Sequence, residues 1–234
     1  MKLYYDFHIH SCLSPCGDDD STPNNIVNMA LIKGLNAIAV SDHNTGRNCP
    51  AVMAVGKKSG LVVLPAMELT TSEDIHILCL FEEYAHLERL EAHLEKTRLK
   101  IRNKREIFGK QQILNEYDEP VGEIEDLLIV SSGISVEEVA KLVKGYGGIP
   151  IPAHVDKQSN GLIGVLGVFD RSLGFELVES KQDPCLGLPF ITDSDAHYLW
   201  DISEAENFIE AETCSAHGVF AALKKLCGQG GGNG

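Results

Sequence analysis

Apolar and polar positions alternate at the start of the chain. Tyr5, Phe7 and Ile9 are separated by Asp6, His8 and His10, and side chains two apart on a strand share a face. The pattern predicts a short buried strand with one apolar face; its other face carries a carboxylate and two imidazoles. Residues 11–25, rich in Ser, Pro, Cys, Gly and Asp, read as a loop. Thr22 or Ser21 can cap the next helix, with Pro23 in its first turn, Ile26, Val27, Met29, Ala30 and Ile32 on its apolar side and Gly34 at its end. Ala37–Val40 is a short apolar strand. A helix over about 50–59 closes at Gly60, and strands follow at 61–68 and 75–80.

The stretch 82–117 changes character. Glu, Lys and Arg dominate, and Leu87, Leu90 and Leu94 recur at helical spacing. This predicts one long helix or a helical hairpin, with Arg98, Lys100, Arg102, Lys104 and Arg105 forming a basic patch. Beyond it the pattern predicts a helix over 135–145, a strand at 149–153 and a helix or irregular apolar loop at 161–169. Strands at 175–178, 189–192 and 207–211 follow, then a helix at 216–226 and a disordered Gly-rich tail at 228–234. Nearly continuous apolar strands alternating with helices imply an α/β fold with a parallel sheet covered on both faces.

Composition narrows the picture. The 234 residues carry 20 basic against 34 acidic side chains, a net charge of −14. That disfavours a broad basic surface for nonspecific nucleic-acid binding, so no long duplex partner is expected. No stretch approaches the roughly 18 apolar residues of a spanning helix, and the N-terminus lacks the apolar core of a signal peptide. The seven cysteines are odd in number and irregularly spaced. They read as reduced thiols of a cytoplasmic protein.

The candidate chemistry lies at strand ends. His8 and His10, His43 beside Asp42, Glu68 with His76, His154, and Asp195 with His197 sit at five of them, accounting for six of the nine histidines. A mixed imidazole and carboxylate set suits Zn²⁺, Mn²⁺ or Fe²⁺ better than the all-oxygen ions Mg²⁺ and Ca²⁺. A bridging carboxylate between two such ions can activate a water for in-line attack on phosphorus. Asp6, on the strand face of His8, is a candidate to orient that ring.

The ordered motifs His8-Ile9-His10-Ser11, Ser41-Asp42-His43-Asn44-Thr45, Glu68 with Ile75-His76-Ile77-Leu78, Ala153-His154 and Ser194-Asp195-Ala196-His197 resemble those of the PHP family, the polymerase and histidinol phosphatase domain. The resemblance implies a distorted (β/α)7, TIM-like barrel over residues 1–227, with the charged stretch 82–117 as a helical insert. It implies two or three divalent metal ions. His8, His10, Glu68 and Asp195 would hold the first, and Glu68 would bridge to a second on His76 and His154. His43 and His197 would take a third, completed from the loop after the first motif, where Asp18 would suit Mn²⁺ and Cys16 Zn²⁺. His8, His10, Glu68, His154 and Asp195 are the implied catalytic set. Lys157, three residues after His154, is a candidate for binding substrate phosphate, as is Arg47 four residues after His43. The implied activity is hydrolysis of a phosphate ester of a small metabolite or nucleotide. An amidohydrolase on the same metals and a non-catalytic metal-binding barrel are the alternatives.

Overall fold

The structure is a computed structural model and describes residues 1–229. In chain order the elements are β1 (Lys2–Ile9), α1 (Pro23–Ile32), β2 (Ala37–Val40), α2 (Cys49–Ser59), β3 (Val62–Thr70), β4 (His76–Leu80), α3 (Tyr84–Thr97), α4 (Arg105–Phe108), β5 (Gln112–Leu114) and β6 (Pro120–Glu123). There follow α5 (Val136–Gly145), β7 (Ile149–Pro152), α6 (Leu162–Leu166), β8 (Val178–Glu179), β9 (Phe190–Ile191), β10 (Phe208–Glu210) and α7 (Ala216–Gln229). Of the expected Gly-rich tail, Gly228 and Gln229 continue α7, and 230–234 lie outside the described residues. No described helix is long and apolar enough to cross a membrane.

Six strands form one curled, half-barrel sheet in the order β10-β1-β2-β3-β4-β7. β1, β2 and β3 are parallel, as expected. β4 is not: it runs antiparallel to both β3 and β7, so the all-parallel expectation fails here. The reason is the connection. β3 and β4 are joined by Thr71–Ile75, and a parallel return needs a crossover of a dozen residues or more. Thr71 instead donates its N–H to the carbonyl of Ile75 at 2.9 Å, and Asp74 takes a left-handed conformation (φ 66°). The hairpin matters for chemistry, since an antiparallel β4 brings its first residue, His76, opposite Thr70 and beside Glu68.

The remaining segments lead the curl back towards β1. Val155 donates to the carbonyl of Glu179 (3.0 Å), β8 pairs with β9, and Ala196 exchanges backbone hydrogen bonds with His8 (3.1 Å) and His10 (2.8 Å). Inside the curl lie Tyr5, Phe7, Leu64, Ala66, Leu78, Leu80 and Ile151, closed by Val219, Phe220 and Leu223 of α7. Outside, Ile38 and Val40 pack on Ile26, Val27 and Val52 of α1 and α2. Met67, Ile77 and Cys79 pack on Leu87, Leu90, Val139 and Val143 of α3 and α5.

The charged insert also departs from expectation. Its helix ends at Thr97, where Arg98 turns to an extended conformation, because the leucine stripe stops at Leu94 and nothing beyond it continues the buried face. After α4 the chain forms the β5–β6 hairpin. The expected basic patch is largely neutralised: Arg98 and Lys100 meet Glu95 and Asp126, Arg102 meets Glu125, and Arg105 meets Glu123.

Candidate metal centre

A bulge in β1 decides where the first two histidines point. Tyr5 pairs with Ala37 and Asp6 with Ile38, but Ile9 pairs with Val40, so the register slips between Asp6 and Ile9. Strict alternation would put Ile9 on the face of Tyr5 and Phe7. Instead Ile9 packs outside with Ile38 and Val40, while Tyr5 and Phe7 lie inside. One extra residue is absorbed, and His8 and His10 turn into the interior above Phe7. Bulges commonly re-aim side chains beside active sites in this way. On β3, Leu64, Ala66 and Glu68 share the interior face by ordinary alternation, and the interior therefore changes from apolar to polar one layer above Ala66 and Leu78.

Glu68 is the hub, and it is buried. Its Oε1 lies 2.9 Å from His76 Nδ1, 3.2 Å from His8 Nε2 and 3.3 Å from His154 Nε2. Its Oε2 lies 3.0 Å from His43 Nδ1 and 3.4 Å from His10 Nε2. Asp195 Oδ1 sits 3.4 Å from both His8 Nε2 and His10 Nε2, and the ring of His197 lies 4.5 Å from that of His10. Both oxygens of Glu68 and the cluster-facing nitrogens of His8, His10 and His43 are buried without a satisfying hydrogen bond. Buried polar atoms normally find partners. Five convergent atoms that do not are suited to hold a cation, and groups among the cluster residues (His8, His10 and Glu68; His10, Asp195 and His197; His43, Glu68 and His76) place their atoms within 4.8 Å of one another. His154 and Asp195 hold left-handed backbone conformations (φ 33° and 57°), which non-glycine residues adopt at a cost.

The electrostatics agree. Burial alone would push the Glu68 carboxyl up, but His76, His8 and His43 outweigh it and hold it well below the usual range. Burial likewise opposes protonation of His8, yet Glu179, Glu68 and Asp195 together hold its proton affinity well above that of free imidazole. His43 goes the other way, driven down by burial and, less strongly, by the His10, His76 and His8 rings. A cluster that gathers protons onto some of its rings is a cluster short of positive charge, which divalent ions would supply while displacing those protons.

Partners behind the rings fix their tautomers. His8 Nδ1 donates to Glu179 Oε2 at 2.7 Å, leaving Nε2 to face the cluster. His10 Nδ1 donates to Ser14 Oγ (3.0 Å), which itself donates to Asp42 (2.7 Å). His197 Nδ1 donates to the carbonyl of Asp195 (2.8 Å). Asp6 does not orient the His8 ring. Its buried carboxylate accepts the backbone N–H groups of Ser194 (3.0 Å) and Ser203 (2.9 Å) and so pins the Asp195 loop to β1. Glu179, from a two-residue strand far along the chain, was not among the candidates; the short apolar run before it offered no signal.

The two loop candidates separate. Cys16 offers its thiol within 4.8 Å of a ring nitrogen of both His10 and His43. Asp18 instead accepts the backbone N–H of Asp20 (2.9 Å) and falls in none of these groups. Gly17 holds the loop down, since a β-carbon there would stand 2.2 Å from the carbonyl oxygen of Ser11. Cys16→Ser is expected to lower metal content by up to one ion per chain, and Asp18→Asn to leave it unchanged. Elemental analysis of the two purified variants reads this directly, and the reverse order would return Asp18 to the site.

Lys157 reaches the cluster, with Nζ 2.5 Å from Asp195 Oδ2, and lines the small open cleft above Glu68. Arg47 does not. Its Nε lies 3.1 Å from Glu91, a buried carboxylate that also accepts from Thr45 and Gly46.

No protein-family model matches the chain. Among curated proteins, a 5′-3′ exoribonuclease of Haemophilus influenzae is 30% identical over 127 residues, which are 50% of this chain and 44% of that protein. Among solved structures, the lesion-specific endonuclease EndoQ of Pyrococcus furiosus superposes with a TM-score of 0.70 at 16% identity, covering 96% of this chain and 56% of that one. An inferred metal-dependent phosphoesterase of Bifidobacterium adolescentis gives 0.61 at 18% identity over 96% of both chains. A two-domain protein of Bacteroides vulgatus, containing a predicted PHP-like metal-dependent phosphoesterase, gives 0.57 at 16%, over 98% of this chain and 63% of that one. The chain thus spans about half the length of the exoribonuclease and of the endonuclease.

One expectation is overturned here. Endonuclease Q in complex with a 27-mer duplex bearing an abasic lesion superposes with a TM-score of 0.71 at 17% identity, so a long duplex is no foreign partner to this fold. Net charge averages over a whole surface, whereas phosphate contact is local and is governed by cations in the site. With its half-barrel sheet and the polar layer at one end of its interior, the chain has the fold of the PHP-like metal-dependent phosphoesterases.

Proposed function

We propose that this protein is a metal-dependent phosphoesterase of the PHP family and that its substrate is a phosphate ester of a nucleotide or other small metabolite. The observation that carries the reading is Glu68, a buried carboxylate with both oxygens unsatisfied among five imidazoles. His8, His10, Glu68 and Asp195 would hold one ion, with Glu68 shared to a second on His76 and His154. A third would lie between His43 and His197, with Cys16. Zn²⁺, Mn²⁺ or Fe²⁺ fit these donors. Such ions, when bound, supply Lewis-acid polarisation of the phosphoryl oxygens and a nucleophilic water at neutral pH.

The chain's own groups do the rest. Glu179 and Ser14 hold the His8 and His10 rings in fixed orientations. Lys157, half-exposed, keeps its proton: burial works against it, but Asp195 beside it, with Glu179 and Glu68 further off, raises its affinity. Its ammonium can then swing from Asp195 to a phosphoryl oxygen. No Ser or Cys nucleophile is needed. The exoribonuclease relative supports a nucleotide-type ester.

The test is metal content together with phosphate release on one sample. The panel would contain nucleotides, nucleoside bisphosphates, sugar phosphates, and single-stranded and duplex oligonucleotides, with an amide panel beside it. Two or three transition-metal ions per chain are expected, with release abolished by a chelator and restored by Mn²⁺ or Zn²⁺. Failure to bind metal or release phosphate after metal addition would overturn the reading, and turnover confined to amides would favour the amidohydrolase.

A further inference from the structure

The rings of the cluster are not all held alike. His8, His10 and His197 each have a hydrogen-bond partner for a ring nitrogen turned away from the cluster. Among the described residues the His43 ring has none, and its Nδ1 faces Glu68 at 3.0 Å. The placement of this ring therefore comes from the backbone that carries it.

A buried amide fixes that backbone. Asn44 is buried and left-handed (φ 53°), a conformation that asparagine tolerates better than most residues. Its N–H donates to the carbonyl of Glu68 (2.9 Å), and its Oδ1 accepts the N–H of Thr70 (2.9 Å). The side chain thus extends the β3 ladder one step past the point where the main chain turns away. On its other side, Nδ2 donates to the carbonyls of Leu128 (2.7 Å) and Val130 (2.9 Å). Asn48, also buried, makes the same kind of tie. Its Oδ1 accepts the N–H of Leu114 (2.9 Å), and its Nδ2 donates to the carbonyl of Gln112 (3.3 Å) and to Ser11 Oγ (2.9 Å). Between the two asparagines, Glu91 of α3 accepts from Thr45 and Gly46, and a β-carbon on Gly46 would stand 2.3 Å from Leu87 Cδ2.

A third buried amide, Gln111, closes the gripping segment on itself. It donates to the carbonyls of Ile124 (2.7 Å) and Asp126 (2.8 Å) and accepts the N–H of Leu128 (2.9 Å). Asparagine and glutamine are mostly exposed in folded proteins, and a buried amide is costly unless it is hydrogen-bonded. Here all three are bonded, and each joins the chain between α3 and Val130 to the His43–Asn48 turn or to itself.

We propose that this segment is a clamp on the metal centre, and that Asn44 is the positioning residue that sets the His43 ring for its ion. The role rests on the metal centre of the phosphoesterase reading.

Asn44→Gly removes the amide and keeps a residue at ease in the left-handed conformation. Calorimetric metal titration is expected to show the dissociation constant of one ion raised about tenfold or more, with the others in place. That ion should be the one Cys16→Ser also weakens, so the double variant should add little to Cys16→Ser alone. Amide hydrogen exchange on the metal-free protein gives a readout independent of metal. The Glu68 N–H, which donates to the Asp42 carbonyl at 3.1 Å and makes no bond to the deleted amide, should lose protection. Val139→Ala, in the core under α5, is the control: it should lower Tm and move neither readout. Asn48→Ala should act in the same direction as Asn44→Gly and carries the test if that variant does not fold. Unchanged constants and unchanged Glu68 protection in the folded variants would overturn the clamp and leave the phosphoesterase reading standing. Lost Glu68 protection in a protein that binds no ion would keep the clamp on the His43 turn and reject the metal centre.

Discussion

Glu68→Gln is expected to abolish turnover, lowering kcat/KM on the order of 10³-fold or more, and to reduce bound metal by up to two ions per chain. The magnitude follows from charge. Stabilisation by a metal pair is worth several kcal/mol at the transition state, and each 1.36 kcal/mol is about tenfold in rate. Glutamine keeps the shape and the burial of the side chain, but it presents one neutral oxygen where five imidazoles now converge on two charged ones. Its amide nitrogen would also point a donor into the space where the ring nitrogens and Asp195 converge. The fold should survive, because the layer beneath, from Ala66 and Leu78 to Phe220, does not depend on the carboxylate. Elemental analysis and phosphate release on a variant with wild-type circular dichroism would measure the effect. Wild-type metal content and turnover in Glu68→Gln would sink the two-metal assignment.

The residues of this centre were largely legible in the sequence because they come in local pairs at strand ends: His8 with His10, Asp42 with His43, Asp195 with His197. Their three-dimensional arrangement was less so. Alternation along β1 predicted apolar Ile9 opposite His8, and it gave no sign of the bulge that sends Ile9 outward to α1 and α2. The direction of β4 could have been read from the short link to β3, since five residues cannot cross over. The basic run 98–105 looked like a patch because its partners, Glu123, Glu125 and Asp126, come close only through the fold. Arg47 was misjudged for the same reason, its partner Glu91 lying a helix away on α3. Asp18 and Cys16 could not be separated by residue type alone; the fold brings the Cys16 thiol, and not the Asp18 carboxylate, close to His10 and His43.

Glu179 is the sharpest case of a residue invisible in the sequence, and replacing it should have the second largest effect. It lies 171 positions from His8 in the chain, yet its Oε2 accepts the His8 Nδ1 proton at 2.7 Å, both groups being buried. Next to it Asp193 is also buried, and burial, reinforced by Glu179 and Asp6, pushes its carboxyl well above the usual range. A carboxylate behind a metal-binding imidazole fixes its tautomer and raises its basicity, and loss of such a partner typically lowers metal affinity or activity about 10- to 100-fold. Glu179→Gln retains an acceptor for the His8 N–H and removes only the charge, so it should fall near the lower end of that range. Glu179→Leu removes both and should fall near the upper end or beyond. Metal titration by calorimetry separates this from a packing role: a packing residue would lower Tm without moving the dissociation constant of the His8 ion, whereas a positioning residue moves the constant. An unchanged constant and unchanged kcat in both variants would show that His8 is oriented without Glu179.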